Sequence, residues 1–315
     1  MKAAIINQFG NPEVFEIAEM PIPKPGDDQL LVEVHASSVN PIDWKTRLGN
    51  LKYILGSGFP IVLGYDVAGK VEKTGKNVTG FKPGDLVYGR LDKKFGGALA
   101  EYAVGSANVF APIPKGLSME KAAAIPLAAL TALQGLRDKT HVTLDDDVLV
   151  IGAAGGVGHF ALQIAKIMGA RVTAVCSARH QNMINILKPD RWIDYRTTDY
   201  LSEGKKYDVI YDAVGKESFL TCRHILKPGG TYINTLPRPK IILHKFLSVF
   251  TRGKKVKTLL MKPRADDLLW INEKIKSGQF QVFIDSVFTL NEISAAHERS
   301  EMGHAEGKIV IKIKG

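Results

Sequence analysis

Long apolar runs are missing from this 315-residue chain. No stretch approaches the roughly 20 residues that a membrane-spanning helix needs, so a spanning role is not expected. The N-terminus, Met1-Lys-Ala-Ala-Ile-Ile-Asn-Gln-Phe-Gly, has neither the apolar core nor the small-residue cleavage site of a secretory signal. It reads as a short strand, and export is not expected. Cysteine is scarce: Cys176 and Cys222 stand far apart and supply neither a disulfide framework nor a CxxC metal knuckle. A reducing compartment follows as the expectation, and the reading is cytoplasmic. No internal repeat or low-complexity tract occurs, and no nucleophile and base pair supports covalent catalysis.

What is present is an ordinary globular composition, 45% apolar and 23% charged, over a length that exceeds what one hydrophobic core usually organises. Two domains are expected, one of them discontinuous. The net charge of +10 is concentrated: Arg238 to Arg264 holds nine Lys or Arg and no Asp or Glu, so the remainder sums to 10 minus 9, or +1. Segment 240–264 is both basic and apolar. Three readings compete for it: a packed element with a solvated basic face, a contribution to anionic cofactor or subunit binding, and a membrane-surface patch. Nucleic-acid binding lacks an accompanying recognition motif.

The first hundred residues alternate short β-rich runs (Leu30–His35, Val67–Lys73, Asp85–Gly89) with turn signals such as Pro83-Gly84-Asp85, which predicts a mostly antiparallel β domain. From about Ser118 the pattern becomes helix and strand in alternation. Ser118 is placed to cap a helix that Pro126 should interrupt. Val148–Ile151, Val172–Cys176, Asp208–Asp212 and a strand from Gly230, after the Lys227-Pro-Gly-Gly turn, then alternate with helical patterns. That order specifies a parallel, doubly wound sheet. Ala265 to Ser277 reads as a helix, Thr289 to Glu292 as a capping box, and Gly307-Lys-Ile-Val-Ile-Lys-Ile as a closing strand. The expected fold is α/β: a β domain of residues 1–118 and 265–315, with a Rossmann domain of 119–264 inserted.

Val148-Leu-Val-Ile-Gly-Ala-Ala-Gly-Gly-Val-Gly-His-Phe-Ala puts glycines where a strand turns into a helix. A pyrophosphate needs close backbone and free N–H donors there, and residues without Cβ allow the approach. In GxGxxG register the positions are Ala153, Gly155 and Gly158, with Gly156 and Val157 between. The next strand ends in Cys176-Ser-Ala-Arg-His, with no Asp or Glu to pair with the ribose hydroxyls of NAD. Ser177 and Arg179 suit a 2′-phosphate, Arg through charge-assisted and bidentate hydrogen bonds. Tyr195 is a further candidate near the adenosine phosphate. NADPH is the expected cofactor.

Taken together, Ser38-Val-Asn-Pro-Ile-Asp-Trp-Lys, Gly64-Tyr-Asp-Val-Ala-Gly-Lys-Val, Pro126-Leu-Ala-Ala-Leu-Thr-Ala-Leu, the glycine loop and His304-Ala-Glu-Gly-Lys-Ile-Val resemble the medium-chain dehydrogenase/reductase superfamily. Within it the chain is similar to the zinc-free quinone reductase and alkenal reductase branch, including plant chloroplast-envelope quinone oxidoreductase homologues. The resemblance implies a GroES-like catalytic domain, a Rossmann domain, a cleft between them and a homodimer. By motif match it puts Asn40 near the nicotinamide and Thr131 near the ribose or nicotinamide. Lys308 and His304 either approach the cofactor or serve surface and strand roles.

Zinc alcohol dehydrogenases of the superfamily carry Cys and Gly-His-Glu where this chain has Asn40 and Gly64-Tyr65-Asp66, and four closely spaced cysteines that it lacks. No metal site is therefore expected. Metal-free reduction of a quinone or an α,β-unsaturated carbonyl asks the protein to align donor and acceptor, exclude water and stabilise charge on the carbonyl oxygen. Tyr53 and Tyr65 are candidate substrate-pocket groups. Asp43 either holds its loop's backbone or transfers a proton. Two other functions stay open here: a nucleotide-binding protein with a membrane-surface or regulatory role, and an enoyl-thioester reductase.

Overall fold

Alternating and continuous β-branched runs build the sheets, and the structure, a computed structural model, describes residues 1–235 and 253–314. Most of the basic segment, residues 238–252, lies outside the described residues, and with it the three readings of that segment. The chain divides into two units, Met1–Ala128 with Lys262–Gly315, and Ala129–Met261. The fold is α/β, a GroES-like β unit and a Rossmann unit.

In the first unit the strands are β1 (Lys2–Ile6), β2 (Phe15–Glu19), β3 (Gln29–Val39), β4 (Ile61–Val62), β5 (Asp66–Thr74), β6 (Leu86–Arg90), β7 (Tyr102–Ser106) and β8 (Phe110–Pro112). The second unit holds β9 (Asp147–Ile151), β10 (Arg171–Cys176), β11 (Arg191–Asp194), β12 (Tyr207–Asp212), β13 (Leu226–Asn234) and β14 (Lys255–Thr258). The chain then returns to the first unit with β15 (Ile284–Thr289) and β16 (Lys308–Lys312). Their sheet runs β15-β16-β3-β5-β6-β8, antiparallel except for the parallel β15–β16 pair. β16 pairs with β3 on one side and β15 on the other, and its first four residues are buried. An interior strand of this kind buries even the lysine that begins it.

Helices follow their local signals. Asn40 and Asp43 form a capping box for α1 (Pro41–Arg47), which has Pro41 in its first turn, where no N–H is needed. A short α2 (Lys52–Leu55) follows. Ser118 Oγ accepts from Lys121 N and starts α3 (Met119–Ala123). Pro126 separates α3 from α4 (Pro126–Gln134) and opens the latter. The change of unit falls at Ala128, ten residues beyond 118, because α3 packs on β3 and β5.

Six parallel strands of the second unit lie in the order β11-β10-β9-β12-β13-β14. Two halves wind outward from β9 and β12, which is the doubly wound arrangement, and their core gathers Leu149, Ile151, Val175, Ile210, Phe219 and Tyr232. Between β9 and β10 comes α5 (Gly158–Ile167). One expectation changes: Lys227-Pro-Gly-Gly is not a turn before a strand but an irregularity within β13, whose pairing moves from Tyr207↔Leu226 to Val209↔Thr231. Leu226 can still pair because the extra residues loop out, helped by Gly229 at φ +76°.

Candidate active site

The loop from Gly152 to Val157 leaves the C-terminal end of β9, and three of its backbone amides are consumed locally. Gly152 and Ala153 N–H donate to Val175 O at 2.9 and 3.1 Å, and Gly155 N–H to Gly152 O at 3.0 Å. Glycine is required at 158: a Cβ there would stand 2.0 Å from Gly152 O. At Gly155 the nearest atom to such a Cβ is 3.4 Å away. Gly158 thus serves the close packing of loop and helix, whereas Gly155 leaves the backbone open to an approaching group. Ala153 is fully buried, so its methyl fills the space under the loop.

β10 is hydrogen-bonded beside β9, so its end lies next to the loop. Ser177 sits there, 2% exposed, and its Oγ has no hydrogen-bond partner among the described residues. Exposed Arg179 donates from Nε to His180 Nε2 at 2.9 Å. Tyr195, just past β11, is 37% exposed with Lys216 Nζ 4.7 Å from its ring centroid. Ala153, Gly155, Gly156, Val157, Gly158, Ser177, Arg179 and Tyr195 therefore share one edge of the parallel sheet. The orphaned hydroxyl, the exposed guanidinium and the loop left open at Gly155 fit a phosphorylated dinucleotide. Thr131 is on α4, nearly buried, and its carbonyl accepts from Tyr211 Oη at 2.9 Å.

The first unit assembles a different cluster. Asn40 Oδ1 accepts from Lys308 Nζ at 2.5 Å, while Asn40 Nδ2 donates to Asp66 Oδ2 at 2.8 Å and to Ser38 O at 3.4 Å. Asp66 Oδ2 also accepts from Ser38 Oγ at 2.7 Å, and its Oδ1 from Leu127 N–H at 2.8 Å at the start of α4. Lys308 Nζ is 3.6 Å from Asp66 Oδ2. Burial holds the Lys308 ammonium below its usual pKa, opposed by Asp66 and Asp43. Lys308 belongs to the first unit, beside Asn40, whereas the other cofactor-binding candidates of the sequence belong to the second. Both amide hydrogens of Asn40 are engaged, which leaves one Oδ1 lone pair for anything else.

Asp43 Oδ2 accepts from Asn40 N–H at 2.8 Å, so this carboxyl does hold its loop's backbone. Its Oδ1 is buried and has no partner among the described residues. Burial raises its pKa from 3.8 to about 7, against the pull of the Asn40 N–H, and the Asp66 charge adds to the rise. Tyr65 is buried, donates to Lys94 O at 2.6 Å, and is pushed up to about 12 chiefly by burial. Tyr53 is 92% exposed on α2, so it is not part of the buried cluster, and His304 is exposed as well.

Three participants escaped the sequence reading. Ser38 and Asp66 stood inside quoted motifs, but their spacing of 28 residues gave no sign of a shared hydrogen bond. Asp212 ends β12 and accepts from Val214, Gly215 and Glu217 N–H and from Tyr232 Oη at 2.8 Å, organising the loop that follows. An acid closing a parallel strand just before a glycine was its available signal. Among the described residues no group of three or more His, Cys, Asp or Glu is placed to hold a metal ion, and no helix is long and apolar enough to cross a membrane.

This geometry agrees with what the chain is similar to. Residues 26–115 match the alcohol dehydrogenase GroES-like domain family, and residues 187–311 the zinc-binding dehydrogenase family. A chloroplast envelope quinone oxidoreductase homolog of Arabidopsis thaliana is 34% identical, with 99% of this chain and 98% of that protein covered. The chain belongs to the medium-chain dehydrogenase/reductase superfamily. Within that superfamily, the 2-methylene-furan-3-one reductase of Solanum lycopersicum is also 34% identical, over 99% of this chain and 79% of its own length. A solved quinone oxidoreductase from Coxiella burnetii superposes with TM-score 0.92 at 32% identity, over 100% of this chain and 99% of that one.

Proposed function

We propose that this chain is an NADPH-dependent reductase of quinones and α,β-unsaturated carbonyls that works without zinc, as a cytoplasmic homodimer. The observation that carries the reading is the sheet edge of the second unit. There a loop open at Gly155 adjoins the buried, unpartnered Ser177 Oγ and the exposed Arg179 guanidinium. Gly155, Gly156, Val157 and Gly158 would hold the pyrophosphate, Ser177 and Arg179 the 2′-phosphate, Tyr195 the adenosine side, and Thr131 the ribose or nicotinamide. A bound dinucleotide supplies a hydride, two electrons with one proton, to the acceptor. The chain's own work is then to orient the acceptor and stabilise charge on its oxygen, while solvent supplies the second proton.

Zinc independence is supported by what occupies the positions where zinc enzymes carry ligands. Asn40 and Asp66 are tied to each other and to Lys308, and Tyr65 Oη is spent on Lys94 O. An ammonium lodged in this cluster disfavours a second cation beside it. The names of the Arabidopsis and tomato relatives, a quinone oxidoreductase homolog and a furanone reductase, agree with a quinone or enone acceptor. The dimer rests on the family resemblance, and the compartment on the two buried, unbridged cysteines.

The test is NADPH oxidation measured across quinones, alkenals and enones, with and without a metal chelator. Turnover that survives chelation is expected. Tight NADPH binding with no turnover of any of these acceptors would overturn the reading, and light scattering checks the dimer.

A further inference from the structure

Arg90 closes β6 directly opposite Asp66 of β5, so both side chains project from the same face of the sheet. Its guanidinium lies over the Tyr65 ring, 4.3 Å from the centroid. Nε is buried and has no hydrogen-bond partner, and no carboxylate pairs with the group, among the described residues. Asp66, its cross-strand neighbour, is already engaged by Ser38, Asn40, Lys308 and Leu127. Asp43, the other carboxyl in the cluster, feels the Arg90 charge but makes no ion pair with it among the described residues, its Oδ2 being taken by Asn40 N–H. A half-buried cation without compensation is costly unless something else meets it.

Further cations stand on α2 and just after β6. Lys52 Nζ lies 5.1 Å from the Tyr53 ring centroid. Lys94 gives its carbonyl to Tyr65 Oη, and its ammonium reaches the α2 end, where a Cβ on Gly56 would stand 3.3 Å from Nζ. Neither these lysines nor Lys93 is in an ion pair among the described residues; Asp92, whose charge acts on Lys93, is itself hydrogen-bonded by Ser106 Oγ at 2.5 Å. This concentration is local, because outside Arg238–Arg264 the chain sums to only +1.

Resting on the reductase reading above, we propose that the first unit selects an acceptor that carries a negative charge, a carboxylate, sulfonate or phosphate. Arg90 on the Tyr65 face meets that charge, and Lys52, Lys93 and Lys94 form a basic rim beside Tyr53. Guanidinium offers two parallel donors to such a group, and the exposed Tyr53 ring accommodates the flat reacting portion.

The experiment compares kcat/KM for 1,2-naphthoquinone and 1,2-naphthoquinone-4-sulfonate with NADPH in the full-length enzyme. Differences in intrinsic reactivity cancel when the ratio is compared between wild type and variants. The sulfonate-to-neutral ratio is expected to fall about tenfold or more in Arg90→Gln, to be largely restored in Arg90→Lys, and to fall about threefold in the exposed double variant Lys93→Gln/Lys94→Gln. Raising ionic strength should lower kcat/KM for the sulfonate and spare the neutral quinone. An unchanged ratio in both variants overturns the inference. So does a rise in the KM for NADPH with the ratio intact, since the charge would then serve the cofactor's phosphates. Failure to turn over either quinone would instead overturn the reductase reading, and this inference with it.

Discussion

The two site regions are built on opposite physical plans. In the second unit the dinucleotide edge is backbone, glycine and a few side chains that stand next to one another because neighbouring parallel strands end together. In the first unit the cluster is side chain on side chain, with Lys308 and Asn40 joined across 268 residues of sequence and Asp66 and Asn40 across 26. The first plan leaves groups free for a ligand. The second turns most of its groups against each other, and among the described residues it leaves Asp43 Oδ1 and Arg90 Nε without a hydrogen-bond partner.

If saturation is what orders the first unit, cutting one member should be severe. Lys308→Met would strip the buried Asn40 and Asp66 of their ammonium and is expected to cost about 3–5 kcal/mol of stability. Thermal unfolding checks it, and an unchanged melting temperature would show that the cluster is not structural. The same unit buries His297, whose imidazole is pushed down from 6.5 to about 3 by burial and by the Arg47 charge. A histidine whose folded pKa lies below its unfolded value contributes stability that is intact above pH 6.5 and drains away as pH falls toward 3. His297→Leu should therefore move acid unfolding to lower pH, an effect of comparable order. Coincident acid transitions would remove His297 from the account.

On the dinucleotide side, Gly158→Ala sets a methyl 2.0 Å from Gly152 O and should weaken NADPH binding at least about a hundredfold. Calorimetric titration measures it, and retained affinity would mean that the loop adapts. Arg179→Glu is the mildest change: it should raise the KM for NADPH about tenfold and leave that for NADH nearly alone. Parallel changes in the two would place the 2′-phosphate elsewhere.

Legibility followed the same division. The glycine loop, Ser177 and Arg179 could be proposed from the sequence because each is a local signal attached to a strand end. Asn40, Tyr65 and Lys308 were named by motif, yet their partners were not. Lys308 shows why: an alternating Lys-Ile-Val-Ile-Lys strand says nothing of whether its first residue meets water, and only an interior position between β3 and β15 buries it. Arg90 carried no signal at all, since an arginine ending a strand is ordinarily solvated. Lys227-Pro-Gly-Gly had the chemistry of a turn, but the parallel pairing of β13 on both sides of it made an irregularity of the strand instead.

Sequence by itself therefore determined the α/β class, the strand-loop-helix that suits a dinucleotide, and the departure from the zinc enzymes' residue pattern, because these depend on neighbours within a few positions. Tertiary structure alone decided that Asn40, Asp66 and Lys308 satisfy one another and that Arg90 is left with an aromatic face for company. Ionisable groups far apart in the chain acquire their partners, and their costs, only when folding brings them together out of water.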